Sequence, residues 1–359
     1  MTILKTITST LLLLLFISAC ASQSPTSTLT PIPSEPRTLT LMTHDSFAIS
    51  QSLLQTFEQA NNVTVKHLPA GDTGAALNQA ILSKANPLAD HFFGVDNTFF
   101  SRAIEAGIFE PYASPLLAKI PDSLELDPEH RLLPVDFGDV CLNYDIAYFQ
   151  EKGQNPPRAL QDLLKPQFKS LTVVENPATS SPGMAFLLAT VGHFGENGDY
   201  TYRDFWRDMR ANDVLVTEGW EEAYWGHTTW YGGERAIVVS YATSPAAEVY
   251  FSEGSLSEPP TGSVLSDGAC FRQIEFAGIL KGTANRDLAE KFLDFMLSTQ
   301  FQQDIPLNMW MFPANESTTL PQLFVDFAQL AEKPAVVNPD DIAAHRENWL
   351  EAWTEDVLR

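Results

Sequence analysis

The feature that most constrains this chain is a repeated succession of short apolar runs and helix-period segments. Residues 39–42 are apolar or β-branched, and Thr43, His44, Asp45 and Ser46 interrupt them. Phe47, Ile49, Leu53, Leu54 and Phe57 then recur at helical spacing until Asn61 and Asn62. A second strand at 63–68, a helix at 75–82 opened by Gly71 to Gly74, a third strand at 92–95 and a helix at 98–106 stopped by Gly107 complete the pattern. Strands alternating with helices predict an α/β layer structure with a mostly parallel sheet. Ligands of such sheets sit beyond the carboxyl ends of the strands. His44, Asp45, Asp72, Thr73 and Asp96 all fall at such ends.

A second stretch of the same kind runs over 139–267, with strands at 171–174 and 236–241 and helices at 183–193, 202–210 and 246–251. A strand at 271–277, a helix at 286–297 and a last helix at 340–358 follow. A chain of 359 residues exceeds one comfortable hydrophobic core, so two lobes are expected.

The first residues carry Lys5, an apolar run over 11–17, and then Ser18, Ala19 and Cys20. This order reads as an export signal. It is similar to a bacterial lipobox, which implies a signal peptide over 1–19 and a lipid on Cys20. Residues 20–37 are rich in Ser, Thr and Pro and read as a tether. The expected location is extracytoplasmic, lipid-anchored to the membrane. Two further cysteines, Cys141 and Cys270, would then lie in a compartment where a disulfide can form. The net charge of −23 disfavours nucleic acid and an anionic bilayer surface and suits a cation, without identifying one.

Ser181-Pro182-Gly183 and Ser244-Pro245 each place serine and then proline at a helix start, where free backbone N–H groups can donate to an anion or a carbonyl. Trp220, Tyr224, Trp225, Trp230 and Tyr231 crowd one short segment. Tyr224 and Trp230 read as core, whereas Trp220 follows Gly219 at a loop-to-helix junction suited to a cleft wall. No G-x-S-x-G, H-E-x-x-H, P-loop or G-x-G-x-x-G pattern is present. Neither enzyme chemistry, a cofactor nor a metal is expected.

Thr43-His44-Asp45-Ser46-Phe47, Asn176-Pro177 with Thr179 to Gly183, Val216 to Trp220, Ser240 to Pro245, and Ile305-Pro306 with Trp310 to Pro313 occur in an order that resembles bacterial thiamine-binding proteins of ABC importers. The resemblance implies a type II periplasmic-binding-protein fold, with two α/β lobes, a hinge and a ligand cleft. Lobe 1 would hold 38–135 and about 270–312, and lobe 2 about 136–269 and 313–359, with a hinge crossing in the strand at 133–144. It implies neighbouring strands for Cys141 and Cys270. The ligand would be thiamine or a thiamine phosphate, passed to the importer's membrane permease. Contacts would come from His44, Asp45, Asp72, Thr73, Ser180, Ser181, Trp220, Tyr241, Ala242, Thr243, Ser244 and Trp310. Trp220, Tyr241 and Trp310 offer rings to a pyrimidine and a thiazolium, and Asp45 a charge. His44 departs from the tyrosine of many relatives. Capture of iron(III), a polyamine or a phosphonate on the same scaffold, or a lipoprotein hydrolase acting on thiamine phosphates, are the alternative readings.

Overall fold

The computed structural model describes residues 35–359. The signal, Cys20 and nearly all of the tether lie outside the described residues. Eleven strands join one sheet: β1 (Arg37–Thr43), β2 (Val63–Pro69), β3 (His91–Asp96), β4 (Phe109–Glu110), β5 (Leu133–Asp145), β6 (Thr172–Glu175), β7 (Leu215–Thr217), β8 (Ile237–Tyr241), β9 (Thr261–Val264), β10 (Phe271–Leu280) and β11 (Phe312–Pro313). The main path runs β2-β1-β3-β10-β5-β8-β6-β7. Helices cover the sheet, so β3 is buried along its whole length and is apolar in four of its six positions.

The sheet is parallel toward its two ends, where β1 pairs with β2 and β3, and β6 with β7 and β8. Its centre is antiparallel, a departure from the mostly parallel sheet expected. β5 pairs with β10 through its first eight residues and with β8 and β9 through its last six, so this single strand leaves one half of the molecule and enters the other. β10 brings the chain back in the opposite sense, pairing with both β5 and β3. A disulfide joins Cys141 of β5 to Cys270, just ahead of β10, with Cα atoms 4.4 Å apart.

One continuous buried core underlies both halves, with two concentrations of rings in it. Phe57, Phe92, Phe292 and Phe301 fill one, and Phe186, Phe205, Trp206 and Trp353 the other, all buried. Burial of each such ring is worth about 2–3 kcal/mol, and the Trp206 indole N–H also donates to Thr190 Oγ1 at 2.9 Å.

Local hydrogen bonds move several helix starts from where periodicity put them. Ser50 stays extended, and its N–H donates to Asp304 Oδ2 at 2.7 Å, so the first helix begins at Gln51 and Phe47 packs from the loop before it. Asp96 Oδ1 accepts from the N–H groups of Thr98 and Phe99 at 2.9 and 3.1 Å, holding them in a turn ahead of the helix Phe100–Glu105. Arg37, assigned to the tether, opens β1 instead and pairs with Asp287 at 2.8 Å.

The last helix, Pro339–Trp353, does not belong to the second half alone. Arg346 lies 4.3 Å over the Phe99 ring and donates to Thr98 O at 3.1 Å, while Trp353 meets Trp206 at 5.6 Å. It ties the two halves together on the outside.

The disulfide spans 129 residues of sequence and clamps β5 to β10. Replacing both cysteines by alanine should cost about 2–4 kcal/mol of unfolding free energy, read as a lower urea midpoint than that of the oxidised protein.

Candidate ligand-binding site

A cavity of about 730 Å³ opens between the two halves of the sheet, a size suited to a small organic ligand. The loop after β1 supplies His44, Asp45 and Ser46, and the loop after β2 supplies Gly71, Asp72 and Thr73. From the other half come Thr179, Ser181, the 218–225 segment, Tyr241, Thr243 and Ser244. Met309, Trp310 and Met311 close the side near β11, and Glu275 of β10 lies at the floor.

Rings form the walls. Trp220 stacks on Tyr224 at 4.8 Å and stands 6.4 Å from Tyr241, and its indole N–H donates to Ser240 Oγ at 2.8 Å, which fixes the ring plane. Trp310 has a φ of 59°, a left-handed conformation that costs a non-glycine residue about 1 kcal/mol or more. The turn is held by its N–H to Ile305 O at 3.2 Å, and the ring reaches Tyr250 and Phe251, each at 5.3 Å.

Asp72 fastens one half to the other. Its Oδ1 accepts from Thr73 N at 2.7 Å and from Ser181 N at 3.3 Å, and its Oδ2 from Trp220 N at 3.2 Å. Beside it Gly74 N donates to Thr179 O at 3.0 Å. A β-carbon at Gly74 would stand 2.8 Å from the carbonyl oxygens of both Ala178 and Thr179. Only glycine lets the backbones approach this closely.

The lining is acidic. Asp45, Asp72, Glu218, Glu221, Glu222, Glu248 and Glu275 face the cavity, and among the described residues no lysine or arginine does. Burial by itself lowers the His44 pKa, but Glu275, 3.3 Å from Nε2, with Asp72 and Asp45 behind it, outweighs burial and raises it. Burial pushes Glu248 up to about 7, although hydrogen bonds from Thr261 and Tyr224 favour its ionised form. Burial also holds the Tyr241 hydroxyl well above its usual range. Among the described residues no group of three or more His, Cys, Asp or Glu is placed to hold a metal ion.

The family of bacterial extracellular solute-binding proteins matches residues 86–343. The chain belongs to that family. It is 31% identical over 329 residues to the thiamine-binding periplasmic protein of Salmonella typhimurium, covering 89% of this chain and 94% of that one. A solved periplasmic thiamin binding protein superposes with a TM-score of 0.77 at 27% identity, over 90% of this chain and 97% of its own. A more remote relative is iron uptake protein A2 of Synechocystis, 25% identical over 74% of this chain and 75% of that one. The resemblance read from the five motifs is thus borne out, as is the type II periplasmic-binding-protein fold.

In this solute-binding protein ten of the twelve ligand contacts expected from sequence line the cavity: His44, Asp45, Asp72, Thr73, Ser181, Trp220, Tyr241, Thr243, Ser244 and Trp310. Ser180 does not, because it caps the helix Ser181–Phe194 with its hydroxyl turned back to Gly183 N. Ala242 does not either: it follows Tyr241 on the opposite face, where it packs against the cysteine pair. Asp45 lines the mouth but is exposed, and its Oδ1 is engaged by Gly71 N at 2.9 Å. Tyr224, read as core, is buried and also lines the cavity. Sequence reasoning missed Glu275, which carries no motif and sits in a strand otherwise suited to a core.

The Gly74 approach gives a direct test. Gly74→Val should prop the halves apart and weaken ligand capture about tenfold or more, since overpacking costs about 1–3 kcal/mol. Titration calorimetry of this variant against the wild type checks it.

Proposed function

We propose that this solute-binding protein captures thiamine outside the cytoplasm and hands it to the permease of an ABC importer, held at the membrane by a lipid on Cys20. The observation that carries the reading is a cavity with Trp220, Tyr241 and Trp310 as walls and, among the described residues, carboxylates but no lysine or arginine in its lining. A flat aminopyrimidine stacks on such rings, and a thiazolium cation is attracted both by their faces and by the acids. The names of the Salmonella relative and of the solved thiamin binding protein support the same ligand.

Unphosphorylated thiamine fits better than its phosphates. Ser181 N already serves Asp72, and Gly183 N serves Ser180 Oγ, so the start of the helix Ser181–Phe194 has few donors left for a phosphate. The surrounding carboxylates would repel one. A polyamine is the second reading, favoured by the number of acids; the ring walls favour thiamine.

Calorimetry on ligand-stripped protein should show thiamine binding more tightly than its mono- or diphosphate, spermidine or ferric citrate. Trp220→Ala and Trp310→Ala should each weaken thiamine by several-fold to about thirtyfold, since one aromatic or cation–π contact is worth about 0.5–2 kcal/mol. Spermidine binding with no thiamine response would overturn the ligand, and unchanged affinity in both variants would reject the pocket.

For the anchor, Cys20→Ser expressed in a bacterial host should shift the protein from the membrane fraction to the soluble fraction. Equal membrane retention would refute lipidation.

A further inference from the structure

Three acids stand side by side at the centre of the sheet. The β10 to β3 register sets Glu275 opposite Asp96, and the β10 to β5 register sets it opposite Asp136. Residues directly opposite one another project from the same face, and like charges there are destabilising. The row is nonetheless almost sealed from solvent, with Asp96 and Asp136 at 0% and Glu275 at 4% exposure. Both ladders shift register beside it, between Glu275 and Phe276 and between Phe276 and Ala277. Such irregularities re-aim side chains next to functional sites.

The row sits among polar and charged neighbours, and His67, bonded to Thr43 Oγ1 at 2.7 Å, acts on His44 from behind. Asp96 accepts from Thr98 Oγ1 at 2.7 Å and contacts Ser181 Oγ, to which Gln273 Nε2 donates at 2.9 Å. Gln273 also reaches toward Glu275 Oε1 at 3.5 Å and accepts from Tyr241 OH at 3.2 Å. His44 Nε2 lies 3.3 Å from Glu275, with Asp72 and Asp45 acting on it from farther off. Arg346, from the last helix, also interacts with the Asp96 charge. Asp136 finds no hydrogen-bond donor at either oxygen among the described residues and faces Glu275. Burial pushes its pKa well above the carboxylate range, and Glu275 pushes it further. Burial likewise lifts Asp96 to about 7, against the bond from Thr98 and with Glu275 adding to the rise.

The geometry points to Glu275, backed by Asp136 and flanked by Asp96 and His44, as the group that recognises the ligand's positive charge, with Asp136 giving up a proton as that charge enters. This rests on the reading of the cavity as a thiamine site and names the group that selects for a cation. Empty, Asp136 holds a proton, favoured by its burial and by the neighbouring Glu275, and His44 stands on the other side of Glu275. A cation arriving at Glu275 stabilises the ionised form of Asp136 beside it, so the Asp136 proton leaves to solvent as one positive charge enters. The free site therefore binds more protons than the occupied one. Affinity rises with pH while the free row still holds its proton, and levels off once it has lost it. A neutral ligand of the same shape gains nothing from the exchange.

The experiment is calorimetry of thiamine in buffers of different ionisation enthalpy, with Kd followed from about pH 6 to pH 8. The expected result is net release approaching one proton per ligand, with Kd falling by up to about tenfold per pH unit before it levels. Glu275→Gln and Asp136→Asn should both bind thiamine more weakly and release fewer protons. Asp136→Asn should melt no lower than wild type, since it removes one of three adjacent acids; a merely structural role would instead lower its melting temperature and leave the proton count unchanged. The wild-type proton count decides the matter even where a variant does not fold. Thiamine binding with a flat Kd and no proton exchange overturns the inference while leaving the ligand intact. Undiminished release in both variants overturns it too, because the proton then has another source. Absence of any thiamine response removes both the ligand assignment and this inference.

Discussion

The antiparallel ladder between β5 and β10 runs through the middle of the sheet, and both halves of the cleft hang from it. Its hydrogen bonds fix the separation of the two halves while leaving them joined by few strands, the connectivity on which hinge closure depends. The Cys141–Cys270 bond lies at one end of this ladder and Glu275 with Asp136 at the other. Stability and ligand recognition thus share the same pair of strands.

That sharing explains why the floor of the cavity looks ill suited to a sheet centre. A row of Asp96, Glu275 and Asp136 is opposed by its own charge and by desolvation. Apolar residues would pack there at lower cost, so the row is better understood through the cavity above it. The row is almost sealed from solvent, so each charge acts through a lower dielectric than it would at the surface. The exposed acids at the mouth, Glu221 and Glu222, work instead at long range and under salt screening.

Closure has its own chemistry. Asp72 belongs to one half and spends both oxygens on backbone N–H groups of the other, at Ser181 and Trp220. The helix start that could have gripped an anion is thereby used to hold the halves together, and the backbone of Trp220 is held by the same aspartate. Recognition is left to rings and acids. The bridging helix Pro339–Trp353 adds an external tie through Arg346, which contacts the first half from an element that also packs against Trp206 of the second.

Much of this was legible in the sequence because it is local. Hydrophobic period, Gly and Pro punctuation and serine caps act over a few residues, so strands, helices and the loops at strand ends could be placed, and ten of the expected contacts do line the cavity. The two that failed did so through directions a linear pattern does not carry: Ser180 turns inward to cap its own helix, and Ala242 lies across the strand from Tyr241. The sequence by itself determined an α/β chain with aromatic and acidic residues at the carboxyl ends of its strands. Only the tertiary structure decided that Asp96, Asp136 and Glu275 meet, because their adjacency depends on the register of two long-range ladders, and register is set by the packing of the whole sheet rather than by any neighbour in the chain.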